Sequence, residues 1–306
     1  MAKKLSVWQR LKHDRGYLLL CAPAIILVFI FSYLPMYGIY LAFTDFSIRA
    51  GILGSPFVGF KWFQRFFESI YFWRILKNTV LLSALTILFT FPLPIVFALL
   101  LREVKNTAVR KAAQTISYMP HFISTVIVVG IMTDLFSPSG GVINEVLMAL
   151  GIFDSPVNFF YEAKYFRMLY IGSEIWQHFG WNSIIYIATI LSIDPQLYEA
   201  AEMDGAGKWK QMLHVTLPGI RDVTVTLLIL AFGSVMSVGF EKVLLMYNPA
   251  TWETSDVIAT FTYREGILAG ELGYGSAVSI FNSVINLVLL VVFNCIARRV
   301  SEVSLW

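Results

Sequence analysis

The sequence predicts an all-α membrane protein with six transmembrane helices, and three observations carry that prediction. Of its 306 residues 57% are hydrophobic and only 14% charged, whereas soluble domains carry about 25% charged residues. Six apolar runs are long enough to cross a ~30 Å hydrocarbon core. Between them the Lys and Arg residues fall mainly on alternate connections, as the positive-inside rule requires.

The first span is expected over about 17–43, with kinks at Pro23 and Pro35. Lys3, Lys4, Arg10, Lys12 and Arg15 precede it, and Ala22-Pro23-Ala24 imitates a cleavage site. The apolar run continues past that site through Ile30, which favours a retained span over a signal peptide. Leu18-Leu19-Leu20-Cys21 resembles a lipoprotein box, but a bulky Leu before the cysteine is wrong for processing. A mixed aromatic segment, about 44–74, leads to span two, about 75–101, which Pro92 and Pro94 should break. Span three is expected over 115–136, span four over 168–192, span five over 223–247 and span six over 277–296. With these limits fourteen of the 23 Lys and Arg residues fall at the two ends, on the 102–111 turn and on the connection between spans four and five, 193–222. Both termini and that loop are therefore expected on the cytoplasmic side.

The 194–220 loop is a polar island between apolar runs. Asp194-Pro195 is a helix-start signal, a capping carboxylate followed by proline at the first helical position. Leu197, Tyr198 and Ala201 fall on one face of the helix that follows. Gly205 and Gly207 mark its end, since glycine adopts a left-handed terminal residue without steric cost. Trp209, Met212, Leu213 and Thr216 define a second amphipathic stripe, which Leu217-Pro218 should close. The expectation is two short helices meeting at a glycine elbow.

This loop resembles the EAA loop of ABC-transporter importer permeases. That pattern runs Glu-Ala-Ala, three residues, Gly, nine residues, Ile, one residue, Leu-Pro. Glu199, Ala200, Ala201, Gly205, Leu217 and Pro218 match it, and Val215 stands at the isoleucine position. Outside the loop the likeness is carried by Tyr33 to Gly38, Asn78-Thr79, Tyr118 to Ser124, and the outer segment from Tyr247-Asn248-Pro249 through Ser255 to Ile258 and on to Tyr263-Arg264. These passages resemble the maltose-type carbohydrate permeases, in their oligosaccharide and polysaccharide branch. The resemblance implies the type I importer fold, with one permease domain spanning 1–306 and an added N-terminal helix. It implies a second, homologous permease subunit, two ATP-binding subunits and an extracytoplasmic solute-binding protein, in a bacterial cytoplasmic membrane. It also implies that Glu199, Ala200, Ala201, Asp204, Gly205, Leu217 and Pro218 couple the permease to the ATPase.

No Gly-rich loop followed by Lys-Ser or Lys-Thr is present, so ATP and Mg are expected on partner subunits and no cofactor on this chain. His13, His121, His178 and His214 are scattered with no metal-ligand spacing, and Cys21 and Cys295 are too few for a disulfide framework. Neither a catalytic metal nor a nucleophile-base pair emerges, so an enzyme acting by itself is not expected; nor is a nucleic-acid partner.

Polar groups inside spans are costly and usually face a bundle interior or a cavity. Span four offers Glu174, Gln177, His178, Trp181 and Asn182 on one helical face. A carboxylate, an amide and an indole together suit a sugar, whose hydroxyls need replacement for water and whose ring faces stack on aromatics. Ser234, Ser237 and Glu241 in span five are weaker candidates for the path, as are Ser279, Asn282, Ser283 and Asn286 in span six. For those, helix-helix hydrogen bonding is the plainer reading. Two other transport classes compete: the same machinery with a non-sugar solute, and an ion-coupled carrier using Glu174 and Glu241 as proton sites. The second leaves the Glu199 loop unexplained and would normally show an inverted repeat.

Overall fold

The computed structural model describes residues 14–237 and 239–301; Lys3, Lys4, Arg10, Lys12 and His13 lie outside the described residues. Two compact units are formed by the described residues, one by 14–68 with 265–280, the other by 69–264 with 281–301.

In the first unit, α1 (Arg15–Val28) runs on without interruption to Phe43. Neither Pro23 nor Pro35 breaks this helix. Pro35 has no N–H to donate, and the helix widens just before it into a π-turn, Phe29–Tyr33, in which the Leu34 N–H reaches back to the Phe29 carbonyl. It then tightens into a 3-10 stretch, Leu34–Phe43. A single antiparallel bridge joins Thr44 and Phe57. The short helix α2 (Lys61–Glu68) buries Trp62 and Phe66. Trp62 donates its indole N–H to the Thr44 carbonyl at 2.8 Å, and Arg65 lies over the Tyr274 ring at 4.5 Å while pairing with Glu271 at 2.8 Å.

The second unit begins with α3 (Phe72–Thr90) and α4 (Pro92–Glu103), which together form one continuous 32-residue apolar helix. Pro92 and Pro94 therefore do not break it, because both sit in the first turn of α4, where an N–H is dispensable. Next come α5 (Thr107–Tyr118) and α6 (Thr125–Leu135). The sequence suggested one span over 115–136. Instead the chain turns by 97° between Phe122 and Thr125. The reason is local: Pro120 sits in a 3-10 turn, and the Ser124 hydroxyl accepts the Ile127 N–H and starts a new helix. After α7 (Val142–Ala149) comes α8 (Ala163–Ser192), thirty residues without a break and about 45 Å long. Its length suffices for a span, but its polar face keeps it out of the strongly apolar set.

The coupling-type loop holds α9 (Pro195–Met203) and α10 (Lys208–Gln211), followed by a π-turn, Met212–Thr216, and a single turn, Leu217–Gly219. Leu217-Pro218 forms the last turn of this helix, which ends one residue later at Gly219. The Leu217 N–H bonds to the Met212 carbonyl, the widened turn absorbs the proline, and the chain bends by 58° only where α11 (Arg221–Gly233) begins. Span five, expected over 223–247, is also interrupted. α11 ends at Gly233, and α12 (Phe240–Met246) starts anew after Gly239. Asn286 holds this break: its side-chain oxygen accepts the Met236 N–H at 2.9 Å and its amide donates to the Ser237 hydroxyl at 2.9 Å. The Tyr170 hydroxyl accepts the Gly239 N–H at 3.2 Å. Such side-chain partners are what irregular backbone at membrane depth requires. The last helix, α13 (Leu272–Ser301), begins in the first unit and ends in the second.

Among the described residues three helices are long and apolar enough to cross a membrane, Arg15–Phe43, Phe72–Glu103 and Leu272–Arg299, or five if each bent pair counts as one span. One apolar core of the second unit gathers Leu82, Val128, Val129, Phe166, Tyr170 and Val243. A second gathers Ala98, Leu99, Tyr186, Ile190 and Ile220 and seats the end of the coupling-type loop.

Candidate functional site: a polar cluster beside a cavity, and a glycine elbow

Four of the five polar residues of span four meet in one network on α8. Glu174, Gln177, His178 and Trp181 fall at i, i+3, i+4 and i+7, so they share a face. Opposite them stands Lys242 of α12, which is 3% exposed. Its ammonium meets Glu174 Oε1 at 2.5 Å and donates to Gln177 Oε1 at 2.9 Å. Gln177 in turn donates its amide to the Ile123 carbonyl at 2.8 Å, satisfying an acceptor freed by the 97° bend. His178 Nε2 lies 3.8 Å from Glu174 Oε2, and its Nδ1 lies 3.1 Å from His121 Nδ1. The His121 ring stacks on Trp181, with centroids 4.4 Å apart and planes 7° from parallel. Phe122 meets the same indole edge-on at 5.4 Å.

Trp181 also lines a cavity of about 800 Å³, together with Asn182, Tyr186, Phe91, Leu227 and Ser234. That volume lies within the range of small-molecule sites. Its walls are mostly apolar and aromatic, with a few polar groups.

The other expected path residues fall elsewhere. Asn182 borders the cavity and is exposed. Ser237 accepts a hydrogen bond from Asn286 within the helix break. Glu241 is exposed and reaches none of the cluster in any described contact; its neighbour Lys242 does. Asn282 is half-buried, and its Oδ1 accepts no hydrogen bond among the described residues. Sequence reasoning placed neither Lys242 nor His121 among the path residues. Their partners lie 65 and 57 residues away, and periodicity does not report such pairings. The signal available was an ionisable residue on an apolar helix, which calls for a partner.

The Glu199 loop has the expected elbow. The Asp194 side chain accepts the Gln196 N–H at 2.9 Å and opens α9. At the other end Gly205 has φ +74°. The Ala206 N–H returns to the Ala201 carbonyl at 2.8 Å and the Gly205 N–H to the Glu202 carbonyl at 3.0 Å, which is the Schellman ending that a left-handed residue permits. Gln211 Nε2 donates to the Ala206 carbonyl at 3.0 Å and fastens α10 to the elbow. Glu199, Ala200, Asp204, Gly205, Leu217 and Pro218 are exposed, and Ala201 is half-buried.

The second stripe differs from expectation. Gln211 and Thr216 are buried, whereas Trp209 is 72% exposed and Leu213 is 53% exposed. Met212 still packs against the core around Ala98 and Leu99, so two of the four stripe residues, Met212 and Thr216, face the protein. What seats the loop is Arg102 at the end of α4. Its guanidinium lies 3.6 Å from the Tyr198 ring centroid and donates to Thr216 Oγ1 at 2.9 Å, while the Tyr198 hydroxyl donates to the same oxygen at 3.1 Å. Arg102 had been read only as part of a basic turn.

Residues 91–302 match the family described as binding-protein-dependent transport system inner membrane component. The chain is 43% identical over 304 residues to the polygalacturonan/rhamnogalacturonan transport system permease protein YteP of Bacillus subtilis, covering 99% of this chain and 94% of that protein. It is 40% identical over 304 residues to protein LplB of the same organism, covering 99% and 95%. Among solved structures it resembles a chain of a bacterial ABC transporter involved in the import of the acidic polysaccharide alginate, with a TM-score of 0.89, 41% identity, and coverage of 96% of this chain and 99% of that one. The same likeness, with TM-score 0.89 and 40% identity over 98% and 99% of the two chains, holds for a bacterial alginate ABC transporter in complex with a pentasaccharide-bound periplasmic protein. The near-complete coverage, the helical architecture and the family match agree: this chain belongs to the binding-protein-dependent transport system inner membrane components, the permeases of ABC importers.

Proposed function

We propose that this chain is the membrane-spanning permease subunit of an ATP-driven importer that takes up oligosaccharides or polysaccharide fragments delivered by a solute-binding protein. The observation that carries the reading is the pairing, within one chain, of an exposed glycine elbow with a polar, aromatic cluster beside a cavity of about 800 Å³. The elbow offers a rigid surface to an ATPase, and the cluster offers hydrogen bonds and a stacking face to sugar rings. Glu199, Ala200, Ala201, Asp204 and Gly205 meet the ATP-binding subunit, and Leu217 and Pro218 continue that surface. Glu174, Gln177, His178, Trp181 and Asn182 line the path. The chain itself hydrolyses nothing; two ATP-binding subunits do so. A second permease completes the pathway, and both termini face the cytoplasm with the loop. Full-length likeness to carbohydrate importers supports the cargo class, and the basic residues on the loop side support the orientation.

The test is ATP hydrolysis by the assembly purified with its co-purifying subunits and reconstituted in liposomes. Candidate binding proteins are added with and without sugar fragments. Stimulation by one loaded binding protein is the expected result. Proton-driven sugar flux by a preparation that carries no ATPase would overturn the reading.

A further inference from the structure

Lys242 is nearly sealed from solvent, and both of its partners, Glu174 and Gln177, come from α8. The cation itself rides on α12, seven residues long and separated from α11 by the break at 234–239. The two partners differ in how they are held. Gln177 is anchored by its own donation to the Ile123 carbonyl at 2.8 Å. Glu174 has an alternative neighbour, His178 Nε2 at 3.8 Å from its second oxygen, and its side chain is 20% exposed against 4% for that of Lys242. A carboxylate that is partly open and has a second cationic or donor partner can leave; a fixed amide cannot. Beyond His178 lie His121 and Trp181, and Trp181 is also a wall of the cavity.

A buried ammonium, a displaceable carboxylate and an aromatic face leading into a cavity complement a sugar ring that bears its own carboxylate. The ring's C–H face lies on the indole, and the acid replaces Glu174 on the ammonium. A neutral sugar can offer the ammonium only a hydroxyl, which does not replace the charge of Glu174, so it gains no ion pair there. We propose that Lys242 is an exchangeable cation: a carboxylate of the transported sugar displaces Glu174 from Nζ, Glu174 turns to His178, and the pathway thereby favours uronate-containing oligosaccharides. The exchange makes and breaks only hydrogen bonds and ion pairs. It rests on the importer reading above and adds to it the chemical class of cargo and the residue that selects it.

The experiment uses the whole importer in proteoliposomes, with its ATPase and binding protein. The probes are tri-galacturonate and the neutral maltotriose. Wild type is expected to take up tri-galacturonate, and Lys242→Gln to lose that uptake by roughly tenfold or more, the worth of one charged hydrogen bond. Glu174→Gln decides between exchange and a structural lock, and it does so even if Lys242→Gln fails to assemble. Removing the competing carboxylate is expected to lower the KM for tri-galacturonate. A raised KM or lost transport in Glu174→Gln would overturn the exchange, as would undiminished tri-galacturonate uptake by Lys242→Gln. Wild type carrying maltotriose but not tri-galacturonate would overturn the acidic cargo while leaving the importer reading intact. Absence of any sugar-stimulated ATP hydrolysis would overturn the importer reading itself.

Discussion

Gly205 permits a test that separates backbone strain from contact with a partner. Its φ of +74° lies in the left-handed region, and a Cβ built on it meets no atom within 4 Å. Inside this chain, then, a side chain there costs nothing sterically; the whole cost is conformational. For an L-residue other than Asn or Asp that cost is about 1–2 kcal/mol. In population terms it reduces the share of loops closed by the Ala206-to-Ala201 hydrogen bond about 5–30-fold. The assay is binding-protein-stimulated ATP hydrolysis by the reconstituted importer. Gly205→Asn, which tolerates the left-handed region, is expected to retain most of the stimulation. Gly205→Ala is expected to lose up to that 5–30-fold. Gly205→Leu carries the same backbone strain as Ala, so any further loss measures a surface outside this chain pressed against the elbow. If Leu and Ala behave alike, the elbow does not sit in a tight cleft of the ATPase. If Ala behaves like wild type, the conformational argument is wrong.

Arg102→Ala removes the stack on Tyr198 and the hydrogen bond to Thr216, which should destabilise the seated loop by about 2 kcal/mol. Arg102→Lys is expected to recover less than half of it, because an ammonium lacks the planar face; thermal unfolding of the purified assembly reads both. Gly180→Ala should sharply reduce assembled protein, since the added methyl would overlap the Ser117 carbonyl where α8 meets α5. Gly172→Ala, in the same helix but facing open space, is the matched control and should be neutral. Asn286→Ala strips the acceptor from the Met236 N–H and should cost about 1–3 kcal/mol. Faster proteolysis within 234–239 would report it, and unchanged cleavage would mean the break is held by other groups.

The helical class, the Asp194 cap and the glycine elbow were legible in the sequence because each depends on residues within one or two turns of one another. The breaks at 123–124 and 234–239 were not read, because a hydropathy window averages over four or five polar atoms in an otherwise apolar run. Signals for both were present nonetheless. Ser124 after Pro120 is a cap after a 3-10 turn, and Gly233-Ser234 with Ser237 and Gly239 is turn chemistry. The break expected at Pro92 and Pro94 did not appear. Pro92 and Pro94 sit in a first turn, and Pro35 and Pro218 follow widened turns, so the missing N–H costs little at any of them. Half of the candidate site followed from the spacing of Glu174, Gln177, His178 and Trp181 on one face. The other half, Lys242 and His121, arrives from distant segments, and only tertiary structure pairs a lysine with a glutamate 68 positions before it.

The uninterrupted course of α8 has a consequence for how its two ends inform each other. Between Glu174 and Asp194 the chain contains no proline and no break until Ser192, a distance of about 30 Å at 1.5 Å per residue. A displacement at the carboxylate is therefore carried rigidly as far as Ser192, with the extended Ile193 alone between that helix end and the cap of α9. On the function proposed above, thermodynamic reciprocity then works in both directions: whatever factor an ATPase on the elbow contributes to the affinity of the inner cluster for cargo, cargo returns to the affinity of the elbow for the ATPase.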